Sequence, residues 1–282
     1  MNCAKLFTPG QTRVMGILNT TPDSFSDGGL WTALEPALRH AVYMAESGAD
    51  VIDIGGESTR PGAREVSIQE ELDRVIPIVE AVIRETSLPV SVDTSKPEVM
   101  EAAVKSGAGM INDVFALRRE GALDTAAKLN VPVCIMHMQG RPRDMQLEPM
   151  YSDVVGEVLQ FLLARARACE DAGIRSGNIV IDPGFGFGKS HQHNIDLFRA
   201  IPRFCATDYP VLIGVSRKTL LGTLTSRPVA DRVAASIASA VLAAQAGAAM
   251  VRVHDVAETV DALKVAKELA TLTFETEQAH SR

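Results

Sequence analysis

Short apolar runs recur along the chain, and each ends in polar residues capable of chemistry. They read VMGILN to Asn19, VIDIGGESTR to Arg60, VSVDT through Asp93, MINDV through Asn112 and Asp113, VCIMHMQG through His137 and Gln139, IVIDPGFGFGK through Asp182 and Lys189, VLIGVSRK to Lys218, and MVRVHD through Arg252 to Asp255. Runs of this kind fit strands buried on both faces. Reactive groups at the end of every one point to a single shared site rather than to unrelated surface patches.

Between the runs lie segments of helical periodicity, among them LEPALRHAVYMAESG, IQEELDRVIPIVEAVIRE, KPEVMEAAVKSG, DVVGEVLQFLLARARACEDAG and RVAASIASAVLAAQAG. Gly48, Gly107, Gly173 and Gly247 stand shortly before the next strand, where a helix stop is expected. Repeated strand–helix units with right-handed crossovers close into a (β/α)8 barrel or open into a doubly wound sheet. The polar endings favour closure, because an open sheet gathers ligand groups at one crevice and leaves other strand ends idle. The expectation is an α/β protein: a single (β/α)8, or TIM, barrel over residues 1–282, its active site at the C-terminal ends of the strands, with a polar tail after about residue 272. TTPDSFSDGGLW after strand one and ESTRPGAREVS after strand two read as mobile lids or as plain surface connections.

Composition adds limits. With 46% hydrophobic and 22% charged residues the chain suits a soluble globular domain with a large core, and a net charge of -7 weighs against a nucleic-acid partner. Cys3, Cys134, Cys169 and Cys205 are far apart with no CxxC pair, which reads as reduced thiols in a cytoplasmic protein. The N-terminus lacks the apolar core of a secretory signal, and no apolar stretch is long enough to span a bilayer, so no membrane partner is expected.

The chemistry follows from the strand endings. Asp93, Asn112 and Asp182 all end buried strands, and a buried carboxylate needs donors from the protein or from a ligand. A pterin or purine-like ring offers a planar N–H edge; loop amides and Lys218 are the alternative donors. PGFGFGK lacks phosphate-loop spacing, which sets nucleotide binding aside, but its glycines allow close approach to a flat ligand, with Phe185 and Phe187 as walls or as core residues of a tight turn. Arg60, Lys218, Arg252 and His254 could bind an anion. Arg252 and His254 share one face of strand eight, where barrels commonly hold phosphate; an ion pair with Asp255 or Glu258 is the competing reading. No cluster has zinc-ligand spacing, whereas Asn19 beside an anion pocket suits Mg2+, which takes few protein ligands. No GxSxG nucleophile elbow occurs, and His137 reads either as a histidine that is packed or supports the site from behind, or as one with a direct role.

GILNTTPDSFSDGG, IDIGGESTRPGA, SVDTSKPEV, IND, MHMQGRP, DPGFGFGK, GVSRK and RVHDV, from about residue 14 to about residue 265, together resemble the signatures of bacterial dihydropteroate synthases, pterin-binding TIM-barrel enzymes. A corrinoid-linked pterin methyltransferase and a pterin-binding protein without activity are the other readings. The resemblance implies a transferase that condenses 6-hydroxymethyl-7,8-dihydropterin diphosphate with 4-aminobenzoate, by an SN1-like route, to give 7,8-dihydropteroate and pyrophosphate. It implies catalytic roles for Asp93, Asp182 and Lys218, and a pterin pocket of Asp93, Asn112, Asp182, Phe187, Gly214, Lys218 and Arg252. Diphosphate falls to Asn19, Thr59, Arg60, Arg252 and His254, with Mg2+ at Asn19. Aminobenzoate falls to Phe25, Thr59, Arg60, Pro61, Phe187, Ser216 and Lys218. It further implies sulfonamide inhibition and a homodimer. VFALRREG after Asn112 departs from the glycine-rich character common in relatives.

Overall fold

Every apolar run becomes a strand. The computed structural model describes residues 6–7, 10–20, 30–59, 62–140 and 145–269. The order is β1 (Arg13–Asn19), α1 (Leu30–Glu46), β2 (Val51–Gly55), α2 (Ile68–Thr86), β3 (Val90–Asp93), α3 (Pro97–Lys105), β4 (Met110–Asp113), α4 (Ala122–Leu129), β5 (Val133–Met136), α5 (Val154–Asp171), β6 (Ile179–Asp182), α6 (His191–Arg199), α7 (Ile201–Cys205), β7 (Leu212–Ile213), α8 (Thr219–Thr225), α9 (Val233–Gln245), β8 (Met250–Val253) and α10 (Val256–Leu269). The strands form one parallel sheet in the order β6-β5-β4-β3-β2-β1-β8-β7, and a parallel bridge from Ile181 to Val211 brings the two ends together. The sheet is therefore the expected barrel. The short helices α7 and α8 lie outside the sequence expectation, since five or seven residues are too few to show a helical period.

Helix boundaries follow local chemistry. Ser67 caps α2 by accepting from the Glu70 N–H, with Glu70 and Glu71 in the positive first turn, and Asp153 caps α5 through Gly156. Pro97 opens α3, where its missing N–H costs nothing. Ser190 and His193 form a reciprocal cap on α6. Gly48, Gly107, Gly173 and Gly247 all adopt positive φ, as the spacing predicted.

Strand parity divides the barrel interior into two zones. Met15, Val51, Met110, Cys134, Val180, Leu212 and Met250 pack together at the lower level, and Leu6 closes them off from below. Arg13 pins this plug, donating from Nε to the Leu6 carbonyl at 2.8 Å while pairing with Asp50 at 2.8 Å. Two residues further along the same strands, the inward positions become Asp53, Asn112, Met136, Asp182, Gly214 and Arg252, with Asp93 at the end of β3. The second apolar layer lies between sheet and helices; a Cβ on Gly16 would come within 2.6 Å of Met44 Sδ, a measure of how closely α1 packs on β1.

Candidate active site

At the C-terminal mouth of the barrel, Arg252 occupies the centre. Its Nε donates to Asp53 Oδ2 at 2.7 Å and its Nη2 to Asp93 Oδ2 at 3.1 Å. Burial works against the guanidinium charge, yet the two carboxylates outweigh it and raise its pKa above the usual value. Asp53 is fully buried and also accepts from Asn112 Nδ2 at 3.0 Å. That bond fixes the amide so that Asn112 turns its Oδ1, an acceptor, toward whatever fills the cavity. Among the described residues Asp53 Oδ1 has no partner, leaving a buried acceptor at the floor of the site.

Asp182, on the opposite wall, accepts from the Gly184 N–H at 2.7 Å. A Cβ built on Gly214 would meet Arg252 Cβ at 3.8 Å, and Asp182 Oδ2 and Lys218 Nζ at 4.0 Å each. Gly214 thus borders the Asp182 carboxylate, the Lys218 ammonium and the stem of Arg252 at ordinary contact distance. Lys218 Nζ donates to the Phe185 carbonyl at 2.7 Å and stands 4.6 Å over the Phe187 ring. Phe187 joins Val114, Met136, Met138 and Met145 in an apolar wall. Burial is the main influence on all three ionisable groups around this space. It raises Asp182; it raises Asp93 to about 7, with Arg252 pulling back and Asp53 and Asp113 adding to the rise; and it lowers Lys218 to about 8. Carboxylates destabilised in this way gain most from a ligand that brings N–H donors or positive charge.

The loops are anchored from behind. In DPGFGFGK, a Cβ on Gly184 would lie 1.9 Å from the His137 carbonyl oxygen and one on Gly188 2.4 Å from that of Gln139; both have positive φ, so only glycine fits. Lys189 Nζ holds the turn, donating to the carbonyls of Gly184 at 2.8 Å and Phe187 at 3.0 Å and lying 2.9 Å from His137 Nδ1. Glu57, at the start of the second loop, receives Lys96 Nζ at 2.5 Å, and the same ammonium bonds the buried Glu71. In VFALRREG the turn at Ala116 and Leu117 holds without glycine because Asp113 accepts from the N–H groups of Phe115 (2.8 Å) and Leu117 (2.7 Å); Gly121, also at positive φ, ends the segment. Arg165 binds the carbonyls of Ala116 and Leu117, the two left-handed residues of the turn. Arg119 then reaches Glu65 of the second loop at 2.7 Å.

The structure thus brings Asp93, Asn112, Asp182, Phe187, Gly214, Lys218 and Arg252 around one cavity. Asn19 Oδ1 lies near Gly55 and Asp93 at the first strand's end, and Thr59 stands half-buried on the second loop. His254 follows β8 and contacts Ser216 rather than a carboxylate; Asp255 pairs instead with Arg217. The ion pair weighed for Arg252 at the rim is absent among the described residues, its partners being the interior Asp53 and Asp93. Phe25, Arg60 and Pro61 lie outside the described residues. Sequence reasoning missed Asp53; the available signal was parity, an acid two positions before inward Gly55 within VIDIG.

His137 proves to be packed, edge-on to Phe161 at 4.9 Å between ring centroids. Burial, with Lys189 and Arg118 nearby, lowers its pKa to about 3. Its ordinary value in the unfolded chain is about 6.5. Because the folded value is depressed, folding holds the ring neutral. That contribution is complete above pH 6.5 and is lost as pH falls toward 3. Between pH 7 and pH 5 it amounts to about 2 kcal/mol. Urea unfolding of His137→Gln should show a pH 7 to pH 5 difference that is less destabilising by about that amount; identical differences in variant and wild type would refute the assignment.

Residues 15–254 match the family model described as "pterin binding enzyme". The dihydropteroate synthase of Haemophilus influenzae is 53% identical over 263 residues, covering 93% of this chain and 94% of that protein. The chain belongs to the dihydropteroate synthase family. A Xanthomonas albilineans dihydropteroate synthase solved with 4-aminobenzoic acid superposes with a TM-score of 0.90 at 55% identity, over 96% of this chain and 98% of that one. The Yersinia pestis synthase in complex with a sulfonamide drug gives 0.88 at 48% identity, over 92% and 94%. Membership in this family agrees with the acids, amide and cations gathered at the barrel mouth. Among the described residues no helix is long and apolar enough to cross a membrane.

Proposed function

We infer that the chain condenses 6-hydroxymethyl-7,8-dihydropterin diphosphate with 4-aminobenzoate, releasing pyrophosphate and 7,8-dihydropteroate, and that sulfonamides compete for the aminobenzoate position. The observation that carries the reading is the convergence of Asp53, Asp93, Asn112 and Asp182 with Lys218 and Arg252 inside one barrel mouth. A flat heterocycle entering it presents its amino and ring N–H groups to Asp182 and Asp93 and lies against Phe187 and Met136. Lys218 and Arg252 neutralise the carboxylates not used by the ring.

Loss of diphosphate leaves a methylene cation conjugated with the ring, and Asp93 and Asp182 are fixed where that charge spreads. The leaving group gains negative charge, which Arg252 and the His254 N–H receive. Asn19 supplies a single amide oxygen near the mouth, a donor set that fits Mg2+, an ion that takes the rest of its shell from phosphates and water. When bound it would add charge neutralisation on the diphosphate. The aniline nitrogen attacks while neutral and loses its proton afterwards, so no strong base is needed. Such a cation must be shielded from water, and the loop after β2 that carries Thr59 stands at the mouth where shielding is needed. Free Cys134, Cys169 and Cys205 agree with a reducing, cytoplasmic setting. A homodimer through barrel helices completes the reading, supported by exposed Leu224 on α8 and Leu242 on α9.

The test is pyrophosphate release by purified protein. Release should require both substrates and fall on addition of a sulfonamide; equal release with pterin diphosphate alone, or none from folded protein, would overturn the reading.

A further inference from the structure

Four contacts around Arg217 serve neither packing of the core nor the ring pocket directly. Its φ is 57°, in the left-handed region that a residue with a Cβ adopts only when its surroundings impose it. Its N–H donates to Ser236 Oγ at 2.9 Å, and its carbonyl accepts from Arg232 Nη1 at 2.9 Å. Its guanidinium grips buried Asp255 with both arms, Nε at 3.0 Å from Oδ2 and Nη2 on Oδ1. Such a fork is directional as well as strong. It ties the loop after β7 to the loop after β8, and it flanks a second tie between the same loops.

That second tie joins Ser216 and His254. The His254 backbone N–H donates to Ser216 Oγ at 3.2 Å, and the same oxygen lies 3.0 Å from His254 Nδ1. Ser216 is buried. The hydroxyl hydrogen of this buried serine needs an acceptor, and among the described contacts Nδ1 is the one it has, an arrangement that favours the tautomer with Nδ1 accepting and the ring proton on Nε2.

We propose that Arg217 and Asp255 are a positioning pair that holds Ser216 against His254, so that the imidazole offers its Nε2–H to the departing diphosphate. The proposal rests on the synthase reading for the identity of that anion, but the tautomer itself does not depend on it. On this view Ser216 acts through His254, and its hydroxyl is not available to aminobenzoate. The left-handed turn at Arg217 has a second effect: it sends Ser216 toward the diphosphate end while Lys218 faces the ring end, beside Phe185 and Phe187.

The experiment is nitrogen NMR of 15N-histidine-labelled full-length protein without substrates, with His254 assigned by loss of its signals in His254→Gln. Wild type should show His254 protonated at Nε2. Ser216→Ala and Asp255→Asn should both move it to a mixture of tautomers. In steady-state assays both variants should lose about tenfold or more in kcat, with the KM for aminobenzoate within about twofold of wild type. A wild-type ring protonated at Nδ1 would overturn the proposal, as would variants with unchanged spectra, or a Ser216→Ala defect confined to the aminobenzoate KM. Should Asp255→Asn fail to fold, Ser216→Ala and Arg217→Lys, which keeps the charge and should keep most of the Nε2–H form, decide the matter. Absence of product from wild type would refute the synthase reading alone, leaving the tautomer result in place.

Discussion

Asp182→Ala is expected to abolish measurable pterin binding while leaving the protein folded. The carboxylate faces the space beside Gly214 that Lys218 Nζ also borders, and among the described residues its one hydrogen bond is to the Gly184 N–H. A ring edge donating twice to it makes two charge-assisted hydrogen bonds, each about 1.5–3 kcal/mol. Losing both removes roughly 3–6 kcal/mol, on the order of a hundred- to ten-thousand-fold in affinity. Removal also takes from the partly buried Lys218 ammonium the carboxylate that most favours its charge, which adds to the loss. Titration calorimetry with the pterin diphosphate, alongside a thermal melt, measures both sides. Affinity within about threefold of wild type would remove Asp182 from the pocket.

The second large effect falls on stability. Arg252→Met takes the only cation from between Asp53 and Asp93 among the described contacts, leaving two carboxylates facing each other in the barrel. Breaking a buried pair from one side costs about 3–5 kcal/mol, because the surviving charge stays desolvated. Chemical denaturation should show a loss of that size. Arg252→Met combined with Asp53→Asn should recover part of it, since the double variant buries one charge fewer. A single-variant loss under about 1 kcal/mol would mean that the carboxylates take up protons at little cost and that Arg252 serves ligand binding alone.

Different parts of the molecule were legible to different degrees. All eight strands announced themselves because burial on both faces leaves a mainly apolar run, and the longer helices because three or more turns display a period. Asp93, Asn112, Asp182, Lys218 and Arg252 could be placed at one mouth because each ends its run. Their pairing could not. Arg252 meets carboxylates 199 and 159 positions away, and only the stagger of the strands in the closed barrel determines which ones. Asp53 was passed over for the same reason: inside VIDIG it reads as an interruption of a strand, and its use appears once Asn112 and Arg252 are seen to converge on it. Ser216 stood in a motif that implies contact with aminobenzoate, whereas its hydrogen bonds run to His254, a residue 38 positions further on that no local pattern connects to it.

The plug around Leu6 bears on kinetics. With the lower end of the barrel sealed by apolar side chains, the active site is a vessel with one mouth. The groups suited to the ring lie deepest, and the loop bearing Thr59 lies at the rim. Whatever binds at the bottom must arrive first and leave last, so an amine seated at the rim bars the way to a second pterin. With the pterin at the deep groups and the amine at the rim, as proposed above, depth would set the order of addition, independently of the relative affinities of the two substrates.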